Sequence, residues 1–150
     1  MKKTILSSLF ILFAVLAVNA QQVKIVFTKS EYNADTVYWD GKSTLVLRAV
    51  YKFRNEGVKS ITLKENNFQL PCECSKIEIP LTTIPNDGKE YQVTYVYTYF
   101  DETEENKEKK WGEHQKVEKA RGKVNKKIGF YIDGMEEAKK LFFKAVILKN

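Results

Sequence analysis

Leu45-Val46-Leu47-Arg48-Ala49-Val50-Tyr51-Lys52-Phe53 is the stretch that decides the fold. Its odd positions carry Leu45, Leu47, Ala49, Tyr51 and Phe53, whereas the even ones include Arg48 and Lys52. Side chains on an extended chain alternate between two faces, so a period of two marks a strand with one face in a core and the other in water. Asn55-Glu56-Gly57 follows as a turn, and Ile61 with Leu63 opens another alternating stretch. Tyr91 to Tyr99 is dense in Tyr, Val and Thr, which suit a pleated surface; Val93, Tyr95 and Tyr97 share one face, and Thr94, Val96 and Thr98 the other. Ile128, Phe130 and Ile132 repeat the pattern, Val23 to Phe27 is a shorter candidate, and Asn86-Asp87-Gly88 punctuates the chain before the Tyr-rich strand. Strands separated by turns at these intervals predict an all-β, Ig-like β-sandwich.

Two stretches stand apart from that pattern. Residues 101 to 122 are strongly charged and nearly free of apolar periodicity, which predicts a long exposed connection between strands. Thr103 before Glu104 and Glu105, with Lys109 later, gives room for one short capped helix there, interrupted at Trp111-Gly112. Near the C-terminus, Met135, Ala138, Leu141, Phe142 and Ala145 fall at helical spacing after Asp133, while Leu141, Phe143, Ala145 and Ile147 fall at spacing two. Propensity favours helix over Glu136 to Leu141, and periodicity alone leaves both open. There is no internal repeat and no Pro-rich or Gly-rich linker.

Lys2 and Lys3 precede an apolar run from Ile5 to Val18 that closes on Val18-Asn19-Ala20. A basic start, a short apolar centre and a small residue before the cut predict a secretory signal over residues 1 to 20; a span would need about 20 apolar residues. The remaining residues, 21 to 150, have the length of a single domain, since a chain of that order buries roughly 70% of its unfolded surface. Export predicts a periplasmic or extracellular destination, with no membrane span after cleavage. Loss of the two leader lysines lowers the formal charge from +6 to about +4. With lysines interspersed among acids, nucleic acid is not expected as a partner.

Read in order, Phe53-Arg54-Asn55-Glu56-Gly57, Pro71-Cys72-Glu73-Cys74-Ser75, Ile84-Pro85-Asn86-Asp87-Gly88 and Gly122-Lys123-Val124-Asn125-Lys126-Lys127-Ile128 form a sequence of motifs. That order resembles a family of exported bacterial Ig-like domains catalogued as domain of unknown function 1573, related to the Hydin and major sperm protein modules. In that family an F-x-N-x-G turn precedes C-x-C-[ST], a Pro/Gly turn that opens a strand, a G-x-x-x-K segment and a final strand. The resemblance covers about residues 36 to 148, with Glu73 standing where the family usually has Gly. It implies the sandwich, export, and a strand over Leu141 to Leu148, with Asp133-Gly134 opening a connection that contains one helical turn. It implies no activity.

Cys72 and Cys74 are the only cysteines, too few for a disulfide scaffold. Two positions apart, their sulfurs project to one side of an extended segment, and a local turn at Glu73 would bring the Cα atoms within the roughly 4.4 to 6.8 Å that a bridge requires. So small a ring gains little by restricting the unfolded chain and is expected to be strained and easily reduced. A structural pair, behaving as small buried hydrophobes, is weighed ahead of a redox or soft-metal site. Two thiolates supply half of a tetrahedral zinc set, and His114, the sole histidine, is far away in sequence, so no metal site is assigned and no cofactor is implied. His114 beside Glu113 has neither a nucleophile nor an orienting group placed by any motif, and no phosphate-binding, dinucleotide, HExxH or GxSxG pattern is present. Tyr91, Tyr95, Tyr97, Tyr99 and Phe100 are read as packing rather than as a binding face. Trp111, alone amid charge, is the candidate partner contact, the other reading being a loop that folds back to cover the sandwich. These readings favour a noncatalytic interaction or structural module of the cell envelope with a protein partner, and leave a thiol-dependent redox or soft-metal protein as the alternative.

Overall fold

The computed structural model describes residues 23–40, 43–99 and 122–149. Residues 1–20, where a secretory signal is expected, and residues 100–121, with Phe100, Trp111 and His114, lie outside the described residues. Ten strands are present in chain order: β1 Ile25–Phe27, β2 Glu31–Trp39, β3 Leu45–Asn55, β4 Ile61–Thr62, β5 Phe68–Gln69, β6 Ser75–Glu78, β7 Thr83–Ile84, β8 Tyr91–Tyr99, β9 Lys123–Phe130 and β10 Lys139–Lys149. Sheet A has the order β1-β3-β8-β6, sheet B the order β2-β10-β9-β5, and β4 pairs with β7 in a small ribbon. The fold is an all-β sandwich. The single helical element among the described residues is a 3-10 turn at Glu65–Asn67.

The opening stretch behaves as its alternation predicts: Leu47, Ala49, Tyr51 and Phe53 of β3 are buried, and Arg48, Val50 and Lys52 are exposed. β3 pairs antiparallel with the full length of β8, from Leu45 opposite Tyr99 to Phe53 opposite Tyr91. Val93, Tyr95 and Tyr97 then point inward with the odd residues of β3. From sheet B, Leu141, Phe143, Ala145 and Ile147 of β10 meet them with Val124, Ile128 and Phe130 of β9. The Phe143 ring lies 5.4 Å from that of Tyr95, 5.9 Å from Tyr97 and 6.2 Å from Tyr32, in stacked and tilted geometries that favour aromatic pairs. Tyr51 crosses the gap: its hydroxyl donates to the Phe142 carbonyl of β10 at 2.7 Å, and burial holds its phenol well above the usual range.

The C-terminal ambiguity resolves to strand. Burying a continuous row against sheet A takes every second residue, which the period-two reading supplies and a helix would not. The connection before it holds a turn, closed by the Met135 N–H on the Ile132 carbonyl, and not the helical turn implied by the resemblance.

Asn55 explains the F-x-N-x-G motif. At 2% exposure it is the one buried polar residue among those described, and its amide donates to the Lys59 and Ile84 carbonyls while its oxygen accepts from the Gly57 N–H. A buried amide is stable there because its partners are supplied by the turn itself and by β7.

The β1–β2 region moves from one sheet to the other. β1 pairs antiparallel with β3, while β2 runs parallel to β10, its partner in sheet B. Between Asn33 and Thr36 the register slips by one residue, a bulge in which Asp35 takes φ +53. The Asn33 side chain braces it, accepting from the Asp35 N–H at 3.1 Å and donating to its carboxylate at 2.9 Å. Asp tolerates this left-handed conformation better than most residues, and a bulge on an outer strand hinders pairing with another chain.

Candidate functional site

Two places in the sandwich bring chemically informative groups together. The first is the crossover from β5 in sheet B to β6 in sheet A, where Pro71-Cys72-Glu73-Cys74 turns the chain. Cys72 and Cys74 are joined in a disulfide with Cα atoms 5.2 Å apart, within the range anticipated for a turn at Glu73. Both are half-buried and pack with Leu70 against the core. The Ser75 hydroxyl lies 3.1 Å from Cys72 Sγ and 2.7 Å from the Tyr95 hydroxyl, so the bridge is tied through one side chain to the Tyr-rich strand. The Cys74 carbonyl accepts from Thr98 N–H, extending the β6–β8 ladder into the turn.

Lys126 belongs to the inward-facing row of β9, between Val124 and Ile128, and its ammonium sits 5.2 Å from the centre of the Tyr97 ring. An amine over an aromatic face is electrostatically favourable. Nothing in the composition singles out Lys126; only its phase with Val124 and Ile128 marks it. Trp39 also escaped sequence reading. It closes this end of the sandwich, edge-on to Tyr99 at 5.2 Å, with its indole N–H on the Ser43 carbonyl at 2.6 Å. The tyrosines singled out from the sequence pack as expected: Tyr95 and Tyr97 are buried, and Tyr91 and Tyr99 are half-buried beside aromatic neighbours.

The second place is the open side between the sheets at β1 and the start of β10. A groove of about 260 Å³ is lined by Ile25, Val26, Phe27, Ser30, Lys139, Lys140 and Leu141. Lys24 accepts from Glu56 N–H and Thr28 donates to the Lys52 carbonyl, so the even residues of β1 face β3. By strand alternation the N–H and C=O of Ile25 and Phe27 point off the sheet edge. Opposite them, Phe142 N–H reaches the Ser30 carbonyl, and β2 begins only there, so the backbone of Lys140 extends beyond the end of β2. Edges of both sheets therefore meet one groove.

Ion pairs occupy the outer face of sheet A. Glu78 accepts from Arg48 at 2.5 Å and from Lys76 at 3.1 Å, which holds its carboxyl below the usual range. Arg48 and Lys76 flank Val96 in register, and Val96 is only 1% exposed although it points outward. Long cationic side chains cover apolar surface in this way. Glu90 is likewise held low, first by its bond from Lys52 and then by Thr28. Asp87 is held low by the Lys89 N–H, and also accepts from the Tyr91 hydroxyl.

No family model matches the chain. No curated protein matches it either. Among solved structures it is similar to the crystal structure of a protein of unknown function from Porphyromonas gingivalis W83, with a TM-score of 0.53 and 15% identity. The match covers 85% of this chain and 48% of that one, so the chain spans about half the length of the protein it matches. That likeness is one of fold.

Proposed function

We propose that the chain is a noncatalytic Ig-like interaction module, exported to the bacterial cell envelope by a cleaved signal over residues 1 to 20, that holds an extended segment of an envelope protein along the groove between β1 and β10. The observation that carries this reading is the meeting of two strand margins at one opening: the half-buried Phe27 of sheet A and the exposed Lys140, where β10 runs past the first residue of β2. An added strand gains main-chain hydrogen bonds there and places side chains against Val26, Phe27 and Lys140. A photo-crosslinking residue at Val26 or at Lys140 is expected to trap one common product in the exporting cell, with none from Thr62 in the small β4–β7 ribbon. Equal yields from all three positions, or none from any, would remove the groove as the binding surface.

The disulfide favours a second reading, in which Cys72 and Cys74 cycle with an external dithiol. The thiolate of that dithiol attacks one sulfur, the Cys72–Cys74 bond breaks, and the dithiol departs as its own disulfide. The chain gains two electrons and two protons. Soft-metal binding would require the same reduction first, because a bridged sulfur is not a thiolate. In the structural reading, the Cys72→Ser, Cys74→Ser double variant folds with a stability loss of about 1.5 kcal/mol at most, the chain-entropy value for so short a loop. It also keeps the groove crosslink. Reversible reduction of the native protein by a thioredoxin-type dithiol, with crosslinking that changes with redox state, would instead place the thiol chemistry first.

A further inference from the structure

The outer faces of the two sheets treat their cations differently. On sheet A, Arg48, Lys52 and Lys76 are each held by a carboxylate. On sheet B, β9 and β10 turn Lys123, Lys127, Lys140 and Lys144 outward, opposite to the buried row of Val124, Ile128, Leu141 and Phe143. The carboxylates nearest that face lie along its β2 margin. Glu31 pairs with Lys144, and Asp35 is braced by Asn33 within the bulge. At the β10 entry, Glu137 pairs with Lys139. Among the described residues, Lys123, Lys127 and Lys140 have no carboxylate within salt-bridge distance.

Register makes these lysines a line. Phe142 stands opposite Lys127 and Val146 opposite Lys123, while Lys140 faces Gly129 and Lys144 faces Asn125. Along the strand axis the order is therefore Lys140, Lys127, Lys144, Lys123, alternating between two adjacent strands. Each step is two residues, about 7 Å, and the strands are about 4.8 Å apart, so the line extends roughly 20 Å. Gly129 and Asn125 on β9, and the half-buried Phe142 and Val146 on β10, fill the alternate squares.

We propose that this line binds a linear acidic polysaccharide, a chain bearing carboxylate or sulfate groups at regular intervals. Evenly stepped point charges on a flat strand pair match an extended polyanion. The contact is made entirely by Lys, which offers a compact charge rather than the planar fork that selects single phosphates or carboxylates. A bilayer fits less well, because the apolar members of the line are recessed; the exposed Tyr38 and Leu148 lie beyond its Lys123 end. Single-stranded nucleic acid needs successive stacking platforms, and Phe142 is the only aromatic residue in the line. A folded protein partner would be expected to anchor in a pocket, which a flat face lacks. The inference stands on sheet B; it shares Lys140 with the groove but does not depend on strand addition there.

The test is titration of the protein with polygalacturonate and with dextran sulfate, neutral dextran serving as control, at low and at physiological salt. Binding to the two charged chains is expected, weakening as salt screens exposed charges. The triple variant Lys123→Gln, Lys127→Gln, Lys140→Gln is expected to lose at least tenfold in affinity. A triple variant of equal charge change at exposed sites elsewhere, Lys29→Gln, Lys59→Gln, Lys64→Gln, is expected to lose less than twofold. Equal losses in the two triples would reduce the effect to net charge and overturn the proposal. So would absence of binding at low salt, or tighter binding to phosphatidylglycerol vesicles or to an oligothymidylate than to polygalacturonate.

Discussion

Replacing Phe143 with Ala is expected to lower stability by about 3–5 kcal/mol, whereas Phe142→Ala, one residue earlier, costs about 1 kcal/mol or less. Phe143 is fully buried, and three aromatic rings, Tyr32, Tyr95 and Tyr97, stand around it. Truncation removes its transfer free energy and leaves a cavity whose walls are fixed by both sheets. Phe142 instead lies half-buried on the outer face, where water can fill the lost volume. Domains of this kind are stable by only about 5–15 kcal/mol, so the first variant loses a large share of the total. Urea unfolding decides the matter: the midpoint of Phe143→Ala should fall sharply with an unchanged slope, and that of Phe142→Ala should barely move. Equal shifts would mean that the C-terminal segment is not a strand in this register.

The second large effect is expected at Gly122, where the chain enters β9. Its φ is +58, and a Cβ placed there would stand 1.9 Å from the Ile147 carbonyl oxygen, an impossible separation. The same residue closes a ladder bond, accepting from Ile147 N–H at 2.6 Å. A side chain therefore cannot be accommodated without parting β9 from the end of β10. Gly122→Ala is expected to cost about 2–4 kcal/mol, combining left-handed strain with the displaced backbone. Gly88, at φ +72, separates the two causes, because nothing lies within 4 Å of its Cβ position. Gly88→Ala should show the conformational term alone, about 1 kcal/mol. Thermal or urea midpoints of the two variants, measured side by side, check the difference; similar losses would mean that the close approach at Ile147 is relieved at no cost.

The long strands were readable wherever one face is buried without interruption, as in β3 and β8. β2 was not, and Asp35 is the reason. Tyr32 and Ala34 face the core at even positions, but after the bulge Val37 and Trp39 do so at odd ones, so no single period runs through the segment. β4, β5 and β7 are two residues long, too short to show any period. At the C-terminus the sequence carried both periods, and burial between sheets chose one. For the candidate sites, the nearness of Cys72 and Cys74 followed from spacing alone. Their link through Ser75 to Tyr95 depends on the β6–β8 pairing, and the groove depends on where β2 begins, neither of which is a local property. The lysine line is of the same kind: four residues scattered over 123–144 become neighbours only once β9 and β10 are in register.

The parallel pairing of β2 with β10 has a mechanical meaning. Tension applied between Val23 and Lys149 would first load the three residues of β1 against β3, the shorter of the two pairings in its path. The pull would then reach β2 at its start while drawing β10 by its end. In a parallel pair loaded that way, force runs along the strands and across every rung. The seven aligned positions from Glu31 opposite Phe142 to Trp39 opposite Lys149 would have to give way together. A domain loaded along these seven rungs slides as a unit under force rather than opening one rung at a time.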